Sequence, residues 1–364
     1  MNEHYRLDGM NGDFHNPAHT APPTIDSSMN PTVLVTAPRL AQAGVDLLAE
    51  AGARVIYLAN ADSADSAEEV ERVMASEPID AVISRTVQLS ARAIASCPAL
   101  KVISKHGVGV SNIDVEAASA RGIPVYVTPG ANAQSVAEMT LGLMLAAARR
   151  IGWMDRELHG GRWSRAQDGV QLHGQTLGLV GFGQIGQRVA RVGLALGMQV
   201  TAFDPALGNG PSPVAGVRLL PSFDALLPLS DVLSLHVPLN RHTRQMLGAA
   251  QLAALPRGAI VVNTARGEVI DEPALIAALQ SGQLHAAGLD TMADEPLPAG
   301  SPLAALPNVV LTPHVGGSTP AALAGMASGA ARNVLGWLQG RPVDPSACVN
   351  PQVLSSLLLH GTTA

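Results

Sequence analysis

The segment GLVGFGQIGQRVA, residues 178–190, decides how the chain is read. An apolar run over 177–180 stops at Gly181, Gly183 and Gly186, spaced GxGxxG, and a helical stretch over 184–196 opens among them. A strand that turns on glycines into a helix is the setting in which this spacing binds a dinucleotide. The three glycines suit a tight turn, the approach of a pyrophosphate and close helix packing, while the helix N-terminus offers free N–H groups and a positive dipole end. Asp204 stands 18 residues after Gly186, at the end of the next apolar run over 200–203. A carboxylate there accepts from both hydroxyls of the adenosine ribose and repels a 2′-phosphate. No arginine follows over 205–210, so the expected cofactor is NAD.

On both sides of this segment short apolar runs alternate with helical stretches. Upstream, runs at 33–35, 55–58, 81–83, 102–103 and 125–127 alternate with helices at 41–51, 67–75, 90–96 and 115–120, which implies a parallel sheet covered by helices. A long helix over 133–149 and a less regular stretch containing Trp153 and Trp163 lead into the nucleotide fold. Its six expected strands are 177–180, 200–203, 232–235, 260–263, 285–289 and 309–311, which suit a doubly wound sheet. A small-residue helix over 321–339 is expected to cross back to the first sheet. The expected division is therefore a discontinuous substrate-binding domain, 32–130 with 318–350, and a nucleotide domain, 131–317. Tails are expected at 351–364 and at 1–31, where His, Asn, Pro, Asp and Ser mix without apolar period and predict disorder. Met29, just before the first strand, also reads as an alternative start.

Composition narrows the function. The chain has 364 residues, 47% hydrophobic and 14% charged, enough for two ordinary cores. A formal charge of -6 gives no footprint for nucleic acid. There is no apolar run of membrane-spanning length and no basic head with an apolar core at the N-terminus, so a cytoplasmic protein is expected. Cys97 and Cys348 have neither metal nor redox spacing; they read as buried or incidental thiols, and no metal is expected.

Three polar residues carry the chemistry: Arg266 in NTARGEVID, Glu295 in DEP and His314 in TPHVGGST. Singly, each reads as an ordinary salt-bridged, turn or loop residue. Together they each follow an expected strand by a few residues, and ligands in such sheets bind beyond the carboxyl ends of the strands. A 2-keto acid that accepts hydride needs a cation to hold its carboxylate and carbonyl in plane. The planar, permanently charged fork of Arg266 suits that task. It also needs an acid for the carbonyl oxygen, and His314 can switch protonation near neutrality. Glu295 on the far ring nitrogen would fix the tautomer and favour the imidazolium. His314 is then needed protonated for reduction and neutral for oxidation. His159, His173 and His242 lack such a setting and read as surface.

From residue 32 to about 350 the chain resembles the D-2-hydroxyacid dehydrogenase family, most of all its D-3-phosphoglycerate dehydrogenase branch. The matching segments are KHGVGVSNID (105–114), PGANAQSVAE (129–138), GLVGFGQIGQRVA, FDP (203–205), LHVPLNRHT (235–243), NTARGEVID (263–271), GLDTMADEP (288–296) and LTPHVGGST (311–319). The resemblance implies a flavodoxin-like substrate domain and a Rossmann domain around an interdomain cleft, with Arg266 on the substrate, His314 as acid/base and Glu295 as its partner. It also implies that the amides of Val108 and Gly109 hold the substrate carboxylate and that Asp290 accepts from the nicotinamide amide. Gln184, Ile185, His236, Pro238, Thr243, Thr264, Ala265 and Gly316 fall on cofactor-lining positions. The helix after PGANAQ resembles a dimer-forming element, so a homodimer is expected.

Ser111 replaces the usual Asp before Asn-Ile-Asp, and LDTMAD lacks the usual aromatic, which bears on the substrate and not on the reaction type. With only a short tail after Asn350, serine feedback through a regulatory domain is not expected. A phosphorylated three-carbon acid would need a cation remote from Arg266; Arg85, after the strand at 81–83, resembles the family's arginine there, and Lys105 would assist. Hydroxypyruvate or glyoxylate reduction stays open as the alternative substrate reading. Two more distant readings are an NAD-sensing corepressor and formate dehydrogenase, which pairs its histidine with glutamine where this chain has Glu295.

Overall fold

A computed structural model of the protein describes residues 30–59, 63, 65–165, 168–208 and 210–354. The tail expected over 1–31 falls outside the described residues as far as 29, and the one expected over 351–364 does so from 355 onward.

The first sheet has five strands, β1 Thr32–Val35, β2 Arg54–Tyr57, β3 Ala81–Ser84, β4 Val102–Lys105 and β5 Val125–Tyr126, in the order β2-β1-β3-β4-β5. All its pairings are parallel, in a flavodoxin-like order. β1 and β3 are buried at every position, as strands covered on both faces must be. Their side chains alternate between two cores. Val33, Val35, Ala81 and Ile83 face Leu48 of the Gln42–Glu50 helix and Ala327, Ala330 and Val334 of the Pro320–Leu338 helix. Leu34 and Val82 face the opposite way, toward Val70, Met74 and Ile94. The late helix thus returns to the first sheet, as its small, apolar residues foretold.

The second sheet holds β6 Thr176–Val180, β7 Gln199–Phe203, β8 Val217–Leu219, β9 Val232–Leu235, β10 Ala259–Asn263, β11 Leu284–Leu289 and β12 Val309–Leu311. Its order is β12-β11-β10-β9-β6-β7-β8, the doubly wound Rossmann arrangement with one strand more than the six expected from sequence. The addition is β8, a three-residue edge strand that buries only Val217 and so gives too short an alternation to read. The stretch expected to be irregular also contains a helix, Ile151–His159. It buries none of its residues, which leaves no core-facing stripe to find in the sequence.

Two crossings join the sheets, near 130 and 318, and they touch where Ser135 Oγ and Thr319 Oγ1 lie 2.6 Å apart. Beyond the Pro320–Leu338 helix the chain runs antiparallel to β5: Val127 N donates to the Ala347 carbonyl and Val349 N to the Val125 carbonyl, each at 2.9 Å, around a Tyr126–Cys348 bridge. Asn350, 1% exposed, accepts from Val125 N and donates to the Ile123 carbonyl. Val353 is buried as well. Cys97 and Cys348 are buried free thiols. Among the described residues no helix is long and apolar enough to cross a membrane, and no His, Cys, Asp and Glu group is arranged to hold a metal ion.

The 16-residue Ala133–Ala148 helix lies against β11 at Gly288, where an added Cβ would stand 2.9 Å from Leu143 Cβ and 3.0 Å from its carbonyl oxygen. Gly288→Val should therefore overpack this contact and cost about 1–3 kcal/mol. Urea unfolding checks this; an unchanged midpoint would mean that helix and sheet can separate freely.

Candidate active site

The glycine-rich turn sits at the switch point of the second sheet, between the carboxyl ends of β6 and β9. Gly181 has φ +89°, and a Cβ on it would lie 2.5 Å from the His236 carbonyl oxygen. Gly186 packs its backbone directly on the Gly181 carbonyl. Both glycines are thus demanded by the protein itself. Gly183 is different: a Cβ there would meet nothing within 4 Å. Its bareness leaves an open cradle at the N-cap of the Gln184–Ala195 helix, beside the free N–H groups of the first turn, which fits a pyrophosphate. Asp204 ends β7 and secures the turn, accepting from Phe182 N at 2.8 Å and from Ala206 N at 2.9 Å. The residues present therefore fit the dinucleotide expected from the fingerprint.

Other positions expected to line the cofactor gather along the same edge. Ile185 packs on the core beneath the turn, and the Gln184 amide lies against Gly130 at the first crossing. His236 is held by Ser234 Oγ at 2.9 Å, while its Nδ1 is shut off from solvent without a partner. Burial pushes its pKa down to about 4, so this ring is neutral. Thr243 Oγ1 donates to the Pro238 carbonyl at 2.6 Å and closes that loop. Thr264 pairs with Thr140 Oγ1 at 2.8 Å, and Ala265 is buried beside it.

Arg266 follows β10 in extended backbone, φ −145°. Asn263 shapes the approach, donating to the Arg266 carbonyl at 2.8 Å and accepting from Ala265 N at 3.0 Å. Gly267 then presses its backbone on that of Met292, so closely that no side chain fits. This contact brings the loops after β10 and β11 together. In the latter loop Glu295 Oε1 accepts from Met292 N at 3.1 Å, and Oε2 lies 2.7 Å from His314 Nδ1. The two side chains are 35% and 43% exposed, so the pair opens on solvent. Burial would raise the Glu295 pKa, but the His314 ring, the Met292 N–H and the Arg266 charge together hold it below its ordinary value.

His314 occupies the left-handed region, φ +53°. Asp290, 2% exposed, holds it there through both backbone and carboxylate. Its carbonyl accepts from His314 N at 2.8 Å; its carboxylate accepts from Thr312 Oγ1, Val315 N and Gly316 N at 2.6–2.9 Å. Even a Cβ on Gly316 would crowd this carboxylate, at 2.8 Å.

The first sheet supplies the opposite wall. Gly109 lies so close to the Arg266 guanidinium that a Cβ would overlap it, and the neighbouring Val108 is 48% exposed. Lys105 donates to the Arg85 carbonyl and to Asn112 Oδ1. Asn112 also donates to Ser84 Oγ, the Arg85 carbonyl and the Val87 carbonyl, which ties the loop of Gly107, Val108 and Gly109 to the end of β3. Burial, then the charges of Arg266 and Arg85, lower the Lys105 pKa to about 7. Burial and the Arg85 charge likewise hold His106 down at about 4. Arg85, Lys105 and Arg266 therefore share one electrostatic neighbourhood. Ser111 is exposed and Met292 buried, while His159, His173 and His242 are all exposed. Asn112, Asn263 and His106 escaped sequence reading, since an amide or imidazole that satisfies loop backbone leaves no spacing signal.

Residues 141–316 match the family model described as D-isomer specific 2-hydroxyacid dehydrogenase, NAD binding domain. A D-3-phosphoglycerate dehydrogenase of Methanocaldococcus jannaschii is 47% identical over 221 residues, covering 60% of this chain but only 42% of that longer relative. A hydroxypyruvate reductase of Thermotoga maritima is 46% identical over 242 residues, 65% of this chain and 78% of the relative. Among solved structures, the TT0316 protein of Thermus thermophilus superposes with a TM-score of 0.77 at 40% identity, covering 87% of this chain and 99% of that one. Such identity, carried through both sheets and nearly the whole of a solved relative, has common descent as its explanation, and the chain belongs to the D-isomer specific 2-hydroxyacid dehydrogenases.

Proposed function

We propose that the protein interconverts a D-2-hydroxy acid and its 2-keto acid with NAD, and that the substrate is of the 3-phosphoglycerate type. The observation that carries this reading is the meeting of Arg266 with Gly109 across the cleft, beside the His314–Glu295 pair. The cofactor, when bound, supplies or accepts the hydride. Arg266 grips the substrate carboxylate and carbonyl from one side, and the amides of Val108 and Gly109 take the carboxylate from the other. With Nδ1 committed to Glu295, His314 presents Nε2 to the substrate oxygen, giving a proton during reduction and taking it during oxidation. Asp290 retains lone-pair capacity beyond its three loop contacts for the nicotinamide amide. On the same reading the discontinuous unit 32–130 with 318–350 holds the substrate, and 131–317 holds the cofactor.

The substrate assignment rests on the extra positive charge of the first sheet, since a distal phosphate could not be desolvated without a cation. Relatives named for D-3-phosphoglycerate, hydroxypyruvate and glyoxylate chemistry keep the unphosphorylated acids as the alternative. Initial rates with NADH and a panel of 2-keto acids decide between them, and failure with every acid would defeat the reading as a whole. Arg85→Ala should weaken phosphohydroxypyruvate by about 2–4 kcal/mol more than hydroxypyruvate, as expected for loss of one partner in a desolvated charge pair. An equal loss for both would favour the simple reductase.

Glu295 joins the His314 ring to the Met292 amide, so Glu295→Gln replaces a carboxylate that fixes the ring by an amide that holds it less firmly. Keto-acid reduction should then lose about 10–100-fold in kcat with the fold intact. An unchanged kcat would remove Glu295 from the positioning of His314.

A homodimer is part of the proposal. Leu145, Ile151, Leu158 and Trp163 are 40%, 52%, 55% and 76% exposed along two consecutive helices and the turn after them, an apolar surface a second copy would cover. Light scattering should give twice the chain mass, and Trp163→Glu should shift it toward the monomer.

A further inference from the structure

The three cations that meet in the cleft come from separate segments: Arg85 after β3, Lys105 at the end of β4 and Arg266 after β10. Lys105 is the one among them that can surrender its charge at an ordinary pH. Its ammonium donates to two neutral oxygens and makes no ion pair among the described residues. Among the described residues the charged groups acting on it are both guanidiniums, Arg85 beside it and Arg266 across the cleft. His106, next in the chain, is buried, bonded to the Leu323 carbonyl and held neutral. Glu295 belongs to the far wall, where it is engaged by His314 and Met292.

A half-buried ammonium facing two cations gains most from an arriving anion, and two of its three N–H groups are already used. Without the anion, loss of the proton relieves both desolvation and repulsion, and the two hydrogen bonds survive in the neutral amine.

We propose that the distal anionic group of a 2-keto acid binds beside Lys105 and Arg85 together with one proton taken from water, so that preference for substrates carrying such a group over those charged only at the carboxylate is lost as the solution becomes alkaline. This rests on the hydride-transfer reading and adds to it a proton-linked selectivity seated in the first sheet.

The test follows the KM of phosphohydroxypyruvate relative to that of hydroxypyruvate, with NADH and the full chain, between pH 7 and 9. Phosphate is doubly charged throughout, its second ionisation lying near 6. Both substrates share Arg266 and His314, so their titration cancels in the ratio. The ratio should climb about tenfold per pH unit above about 7, the slope for uptake of one proton. Calorimetric titration of the NADH complex in buffers of different ionisation enthalpy should show about one more proton taken up with 3-phosphoglycerate than with D-glycerate at pH 8. Lys105→Met should abolish the slope, and Lys105→Arg should keep the phosphorylated substrate favoured at every pH. A flat ratio in the unmodified protein, equal proton uptake for the two acids, or an undiminished slope in Lys105→Met would overturn the proposal. Absence of turnover with either keto acid would instead overturn the hydride-transfer reading, a result the two KM profiles cannot mimic.

Discussion

A parallel sheet delivers chain to its carboxyl edge, but it does not say how the loops beyond that edge are shaped. In the second sheet that task falls to the buried carboxylate of Asp290. It stands at the end of β11 and gathers a hydroxyl and two amides from the turn after β12, while its own carbonyl holds His314 N. The turn therefore takes a conformation a histidine seldom adopts, φ +53°, at a cost of order 1 kcal/mol or more that the charge-assisted bonds offset. Direction is the gain. With the backbone fixed, the imidazole reaches Glu295, whose other oxygen is fixed in turn by Met292 N. Gly267 against Met292 then sets the distance to Arg266. Each geometry in this wall depends on the one before it, beginning from one carboxylate with little access to water.

The opposite wall is built on a different principle. Its loop is tied back by the Asn112 amide, yet the groups it exposes toward Arg266 are a glycine backbone and cations. The charges of Arg266 and Arg85 both act on Lys105, so the two walls bring like charges together. On the proposed reading a negatively charged ligand reconciles these charges, and a site divided between two sheets would in that way select for anions before any bond changes.

Much of this was legible in the sequence because it rests on short-range rules. Glycine spacing, a strand before and a helix after located the glycine turn, and apolar runs located eleven of the twelve strands among the described residues. Arg266, Glu295 and His314 were visible because each follows a strand within a few residues. What escaped has equally definite causes. β8 buries one residue, and the Ile151–His159 helix buries none, so neither carries a periodic signal. The bracing of Phe182 N by Asp204 and the loop-building of Asn112 and Asn263 depend on contacts between segments far apart in sequence or on loop shape. The convergence of three cations required both sheets in place, since Arg266 lies 161 positions beyond Lys105 in the chain.

The antiparallel segment beside β5 has a consequence for the outside of the molecule. β5 is only two residues long and would otherwise present a bare row of amides and carbonyls at the sheet margin. Ala347 and Val349 occupy that row through main-chain bonds, and the Asn350 side chain imitates one further residue of strand by both giving and receiving where the pairing stops. This margin is thereby sealed against recruitment of a foreign strand. A protein that carries buried Val and Ile strands through folding is in this way protected, at one of its sheet borders, from the edge-to-edge growth that leads to fibrils.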